Sequence, residues 1–385
     1  MIYFDNSATS LVKPESVYTA VLDAMKTFGG SGRGAHNAAM NAARCIFEAR
    51  EEISLFFNGY GASNTVFTQN ATEALNIAIF GTVKKGSHVI TTENEHNSVL
   101  RPLFYLEDKG DITLSVVKGD KNGVIDPKDI EKEINDKTSL VVCNHVSNVI
   151  GNKIDIFSVG DICKKHNVPF IVDVSQSAGV FDIDMRKNNI SVLCFTGHKS
   201  LLGPQGTGGL CVKDDFYIAP FKQGGSGVQS FKRTQPENMP ERLEAGTVNG
   251  HGIAGLLAGI RYIKNYGLDN IFEKEKQITK MFYDGIKDFK NVKIYGDFST
   301  WDRGAVVGIN IGDIDSAIIS DILNTDFDIC TRAGAHCAPL VHKHFNTENQ
   351  GIVRFSFSHF NTEEEIKKAI EAIYELNELY EKGEI

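Results

Sequence analysis

Lys199 stands directly after an apolar run, in SVLCFTGHKSLLGPQGTGGL. A lysine in that position is poorly hydrated, which lowers its pKa and suits its amine to covalent chemistry with a carbonyl. PFIVDVSQSAG sets Asp173 inside an apolar strand and Gln176 at its carboxyl end. A buried carboxylate is costly unless a cation or several donors meet it. TVFTQNATEALNIAIF reads as a strand, a turn and a helix opening near Ala71-Thr72-Glu73. Free backbone N–H groups and the helix dipole there favour an anion such as phosphate, and Thr72 adds a hydroxyl. His96 follows SHVITT, and Asn148 follows SLVVCNHV. Arg354 interrupts GIVRFSFSHF, where a guanidinium calls for a carboxylate. Each feature alone has a plainer reading: a surface lysine, a turn-capping aspartate, an ordinary N-cap, a structural histidine.

Together they suit one cofactor. Pyridoxal phosphate needs a lysine for its aldehyde, a carboxylate for its pyridinium nitrogen and an anion cradle. It also needs a group to hold the ring and a cation for the substrate carboxylate. Lys199, Asp173, Thr72 with Thr196 and His198, His96 and Arg354 supply that set. The glycine run after Lys199 is not GxGxxG and does not follow a strand in the dinucleotide pattern, which argues against a nicotinamide site.

Such residues must be brought together by a frame, and the chain outlines one. From about 60 to 215, β-branched runs (NTVFT, SHVITT, TLSVV, SLVVCNHV, PFIVDVS, SVLCFTG, GGLCVK) alternate with segments of helical spacing. That alternation predicts an α/β fold with a mainly parallel sheet covered by helices on both faces. Helices are expected at 13–28, 38–56, 252–266 and 268–290. The rest, about 291–385, reads as a second, smaller α/β layer ending in a charged helix at 362–382. The expected division is a large domain at 13–265 and a small one from 1–12 with 266–385. Ligands of open α/β sheets gather at the carboxyl ends of the strands, where the polar residues named above fall.

Composition narrows the class. The net charge of −9 argues against a nucleic-acid partner, which needs a basic face. No apolar stretch approaches the roughly 20 residues of a membrane span, and MIYFDNSATS has no export pattern, so a cytoplasmic protein is expected. The seven cysteines are odd in number and form no CxxC pair, which favours neither a disulfide framework nor a zinc ribbon. Most sit in apolar runs as small hydrophobes. Cys337, in RAGAHCAPL among small residues beside His336, calls for a separate explanation.

The whole chain resembles the class V aminotransferases of fold type I, and among them the cysteine desulfurases and selenocysteine lyases. The resemblance rests on YFDNSATS, ENEHNSV, HVSNVIG, VDVSQSAG, FTGHKSLLGPQGTGG, EAGTVN and TRAGAHCAPL. It implies pyridoxal phosphate carried on Lys199, with Asp173 on the ring nitrogen, Gln176 on the ring hydroxyl and His96 stacked on the ring. It implies phosphate binding by Thr72, Thr196 and His198, with Glu73 in the same helix start. Thr247 would join them from the other protomer of a homodimer. Asn148 and Arg354 would bind the carboxylate of L-cysteine or L-selenocysteine. Lys199 would move the α-proton and His96 other protons, and Cys337 would take the sulfur as a persulfide for an acceptor protein. No resident metal is implied. RAGAHC departs from the best-known sulfur-assembly relatives, which have Thr and His in place of the two alanines, so Cys337 sits in a less polar setting. The short segment from Cys337 to Arg354 is similar to that of the short-loop group.

Two other readings compete. A class V transaminase, epimerase or lyase on another amino acid would need Lys199, Asp173 and Arg354 but not Cys337. A metal-binding or redox protein would use Cys330, His336, Cys337, His342 and His344, at a spacing that matches no standard finger.

Overall fold

The computed structural model describes residues 1–31 and 34–385. After β1 (Ile2–Tyr3) come α1 (Glu15–Thr27) and α2 (Asn37–Phe56). Alternation then begins with β2 (Thr65–Thr68), α3 (Ala71–Thr82), β3 (Ser87–Thr92), α4 (Asn97–Asp108) and β4 (Ile112–Val117). It continues through α5 (Pro127–Glu133), β5 (Thr138–Asn144), α6 (Ile156–Lys165), β6 (Phe170–Asp173), β7 (Val192–Thr196) and β8 (Gly208–Val212).

These strands form a seven-stranded sheet in the order β2-β8-β7-β6-β5-β3-β4. The pairings β4–β3–β5–β6–β7 are parallel, and β8 runs against both of its neighbours. The sequence runs are continuous rather than alternating because both faces of the sheet are covered. Val141 and Cys143 of β5 join the core under α2, α6 and α7 (Gly250–Tyr266), while Leu140 and Val142 join the core under α3 and α4. β7 divides the same way, with Leu193 and Phe195 on one side and Val192 and Cys194 on the other.

The chain leaves the sheet through α7 and α8 (Leu268–Ile286). It then builds β9 (Val292–Tyr295), β10 (Val306–Ile311), α9 (Ser316–Phe327), β11 (Ile329–Cys330), α10 (Pro339–Phe345), β12 (Val353–Ser356) and α11 (Glu363–Lys382). β12, β10 and β9 form an antiparallel sheet, and β1 pairs in parallel with β11 through Ile2–Ile329 and Tyr3–Cys330. Phe4 packs into the core that α8, α9 and α11 share, so the chain's first residues belong with its last hundred. α11 opens with a capping box, the Thr362 hydroxyl accepting from the Glu365 amide and the Glu365 carboxylate from that of Thr362. Burying Ile366, Ile373 and Leu376 fully then stabilises its seating by roughly 1.5–3 kcal/mol each. The helix expected over 268–290 stops at Ile286, where Phe289 turns in toward the same core.

Candidate active site

The loops at the carboxyl ends of β3, β5, β6 and β7 enclose a cavity of about 200 Å³. Nine of the expected residues line it: Thr72, His96, Asn148, Asp173, Gln176, Thr196, His198, Lys199 and Arg354. Asp173 ends β6, and its Oδ1 accepts from the Ser175 amide at 2.9 Å and from the Ser175 hydroxyl. Those donors hold one carboxylate oxygen and fix the direction of the other.

Lys199 follows β7 by a tight turn. Gly197 is required in that turn, since a Cβ there would come within 2.1 Å of Thr207 Oγ1. The Lys199 side chain touches the cavity, yet protein crowds it densely enough that burial pulls its pKa down to about 8. Asp173 opposes that fall, while Arg354 and Arg332 add to it.

At the start of α3, Asn70 caps the helix by accepting from the Glu73 amide at 2.9 Å. The amides of Ala71 and Thr72 have no intrahelical acceptor, as in any first turn, and both residues face the cavity. Thr72 Oγ1 lies 2.7 Å from Ser98 Oγ, which lies 2.8 Å from His96 Nδ1. The Ser98 amide also donates to Nδ1, which assigns the proton of neutral His96 to Nε2. Burial and then Lys199 lower the His96 pKa to about 4, so the ring is neutral. His198 is likewise held at about 4, chiefly by burial, with Nδ1 on the Thr9 hydroxyl at 3.0 Å.

Arg354 is 1% exposed. Its Nη2 pairs with Asp5 Oδ1 at 2.6 Å and its Nη1 donates to the Asn148 carbonyl at 3.0 Å, leaving Nε without a partner. Asn148 donates from Nδ2 to the His336 carbonyl at 2.8 Å and keeps Oδ1 free. Gln176 donates to the Ser7 carbonyl at 3.1 Å.

Three expected residues do not line this cavity. Cys337 lines an adjoining one that shares Thr72, His96 and Ser98 with the first. Its carbonyl accepts from the Asn97 amide at 2.6 Å, which ties the cysteine loop to the start of α4 beside His96. His336 and Cys337 both have left-handed backbones, with φ of 49° and 57°. Glu73 turns away, accepting from the Gln69 amide at 2.7 Å and pairing with Lys222. Thr247 lies on a separate surface cavity with Arg50, Ser226 and Glu244.

Four contributors had no role in the residue-by-residue sequence reading: Asp5, Ser7, Ser98 and Ser175. Only Ser175, two residues beyond Asp173 in an Asx-type turn, had a local signal. The metal reading finds no geometry. Among the described residues no three His, Cys, Asp or Glu side chains converge. His342 Nδ1 is 2.8 Å from the Thr347 hydroxyl, His344 Nδ1 is 2.9 Å from Glu93, and Cys330 lies on β11.

A mainly parallel sheet with a lysine after one strand, a carboxylate ending its neighbour and a helix start lining the same cavity is the arrangement of a fold type I pyridoxal-phosphate enzyme. The aminotransferase class-V family model matches residues 2–369, and the chain belongs to that pyridoxal-phosphate-dependent family. It is 33% identical over 382 residues to a probable cysteine desulfurase of Methanothermobacter thermautotrophicus, covering 97% of this chain and 94% of the relative. It is 31% identical over 384 residues to a probable cysteine desulfurase of Borreliella burgdorferi, covering 96% and 90%. The apo structure of cysteine desulfurase from Thermococcus onnurineus NA1 superposes with a TM-score of 0.92 at 33% identity, covering 98% of this chain and 94% of that one.

The residues present fit the cofactor. Lys199 is an amine with a depressed pKa, Asp173 offers a fixed carboxylate oxygen, and the first turn of α3 leaves amides for a phosphate.

Proposed function

We propose that this chain is a cysteine desulfurase that takes L-cysteine to L-alanine and holds the sulfur on Cys337 as a persulfide, with L-selenocysteine as an alternative substrate. The observation that carries the reading is the bond from the Asn97 amide to the Cys337 carbonyl, which sets a cysteine at the rim of a lysine–carboxylate–arginine site.

In this reading Lys199 holds the cofactor's aldehyde, Asp173 faces the ring nitrogen, Gln176 the ring hydroxyl, and His96 covers the ring. Thr72, Thr196, His198 and the first turn of α3 take the phosphate. Thr247 joins them from a second copy of the chain, which is why it lies apart here. The bound cofactor supplies an electron sink for the substrate's α-carbon. Arg354 receives the substrate carboxylate, and the Asn148 amide is shared between that carboxylate and the His336 carbonyl. Once the substrate amine has displaced it from the aldehyde, Lys199 Nζ, as the neutral amine favoured above about pH 8, accepts the α-proton. Cys337 Sγ, as thiolate, attacks the substrate sulfur: an S–S bond forms, the C–S bond breaks, and its electron pair stays with the carbon. Protonation of that carbon, and return of the α-proton from Lys199 to the α-carbon, yield alanine. An acceptor thiol then takes the sulfur from Cys337.

The seven cysteines are all free, which fits a reducing, cytoplasmic setting, and no helix among the described residues is long and apolar enough to cross a membrane. The division into 13–265 and 1–12 with 266–385 is retained as a proposal, supported by Phe4 sharing a core with α8 and α11.

The placement of Cys337 outside the main cavity favours one rival, a class V lyase or transaminase that makes no use of the thiol. Product analysis with L-cysteine and L-selenocysteine separates them. Alanine with sulfide or selenide supports the desulfurase, and Cys337→Ser should keep the cofactor spectrum while losing alanine formation from L-cysteine. Full activity in that variant would establish the rival.

A further inference from the structure

Glu95 is fully buried, one residue before His96, and none of the roles above uses it. Its Oε1 accepts from the Thr92 hydroxyl at 2.6 Å and from the Asn144 amide at 3.0 Å. Its Oε2 is buried without a partner, and among the described residues no cation pairs with it. An ionised carboxylate so placed is expensive, and such a group neutralises instead. The Asn144 Oδ1 on the other side of the contact is also an unpartnered buried acceptor. The carboxyl thus meets two donors on one oxygen and none on the other, the setting in which a buried carboxyl keeps its proton.

The position explains what the group does. The ladder between β3 and β5 runs through His88–Thr138, Val89–Leu140 and Ile90–Val141 and goes no further. Beyond it, the two segments are rejoined by Glu95 Oε1 with the Asn144 amide, and by Asn144 Nδ2 with the Asn94 carbonyl at 2.5 Å. His96 and Asn144, on either side of this seam, both line the cavity, and Asn144 is paired in register with Asp173.

We infer that Glu95 is a positioning residue that works as a neutral carboxylic acid, joining the β3 loop to the end of β5 so that His96 and Asn144 hold their places without a second negative charge beside Asp173. The titratable groups that face it are Asp173 from β6, whose charge opposes one there, and Cys143 from β5, a thiol that burial keeps protonated. Burial drives the Glu95 pKa up to about 8 against the hydrogen bonds from Thr92 and Asn144, and Asp173 adds to the rise. The inference depends on the desulfurase reading only for its activity arm.

The sign of the linkage gives a test. A carboxyl whose folded pKa lies near 8 rather than 4.5 costs the folded state increasing stability as pH rises between those values, and a constant amount above. Glu95→Gln keeps an acceptor oxygen, is neutral like the protonated acid and cannot ionise. Its melting temperature relative to the unaltered protein should therefore climb with pH through that window and level off near 8. Infrared difference spectra taken through pH 8 should show a protonated-carboxyl C=O band that fades with rising pH. Glu275, also buried and pushed up to about 8 chiefly by burial, contributes a like band and is removed first with Glu275→Gln. The Glu275→Gln protein also provides the spectrum should Glu95→Gln fail to fold. With L-cysteine, Glu95→Gln should keep kcat within a few-fold where Glu95→Ala loses far more, and its alkaline limb should move upward. A melting gap that is negative and flat with pH, or the absence of a titrating band in Glu275→Gln, overturns the inference whether or not the chain is a desulfurase. Losses in Glu95→Gln equal to those in Glu95→Ala overturn it as well.

Discussion

Asp5 holds Arg354: Oδ1 lies 2.6 Å from Nη2 of a guanidinium that is 1% exposed, across 349 residues of chain. The pair fixes one edge of the arginine, whose Nε is left without a partner. Removing one partner of a buried pair is far worse than never having built it, because the survivor is stranded. Asp5→Ala should cost about 3–5 kcal/mol of stability in urea unfolding, toward the lower figure because Asp5 is partly exposed. It should also raise KM for L-cysteine more than it lowers kcat. A loss under about 0.5 kcal/mol, the scale of a surface substitution, would show that water replaces Asp5 without penalty.

Lys199 gives a pH prediction. Its folded pKa of about 8 lies below the ordinary 10.5, so the reactive neutral amine is the majority form above 8 rather than above 10.5. The rate of loading pyridoxal phosphate onto apoprotein, followed by absorbance, should rise with pH and level off just above 8. Borohydride should then fix the label to the peptide containing Lys199. A rate still climbing steeply at pH 10 would indicate an ordinary, hydrated lysine.

The cysteine loop is pinned at several points. The Cys337 carbonyl is on the Asn97 amide, the His336 carbonyl on Asn148, the His336 ring on the Ile352 carbonyl at 2.8 Å, and His344 on Glu93. A persulfide on so short and anchored a tether has little reach, since an extended residue spans at most about 3.3–3.6 Å. Rapid-quench measurement should show a burst of alanine followed by slow turnover, and an added reducing thiol should raise the slow rate. A linear time course indifferent to thiol would place the limiting step before sulfur leaves.

Thr247 tests the dimer. Light scattering should give twice the chain mass, and Thr247→Ala should weaken retention of pyridoxal phosphate while leaving that mass unchanged. A monomer that holds the cofactor at full occupancy would exclude a shared site.

Much of this was written in short stretches of sequence. β5, β6 and β7 were legible because strands buried on both faces must be apolar throughout, so Asp173 and Lys199 stood out at their ends. The later layer was legible only as strands and helices, since β11 has two residues and α10 seven, too few for a period to declare itself. α4 carries Pro102 within it, which masks its helical pattern. The partners of the visible residues were hidden for a different reason. Asp5 to Arg354 and Ser7 to Gln176 are contacts across 349 and 169 residues, and no local pattern encodes them. Cys337 announced itself by its surroundings, but its place in the adjoining cavity depends on the paired left-handed turns at His336 and Cys337, which no glycine marks.

A ribosome releases β1 long before β11 exists to receive it. At about 5–20 residues per second the wait is on the order of tens of seconds. Throughout that time Thr9 and Ser10, which bond His198 and Lys199, belong to a segment with no strand to lie against. Arg354 is made later still, so the walls of the cavity meet only when nearly all of the chain has been synthesised. A half-made copy therefore carries Lys199 without the arginine wall of its cavity. Capture of the cofactor's aldehyde should fall to finished molecules, and a chain cut short before Arg354 should fail to hold the cofactor.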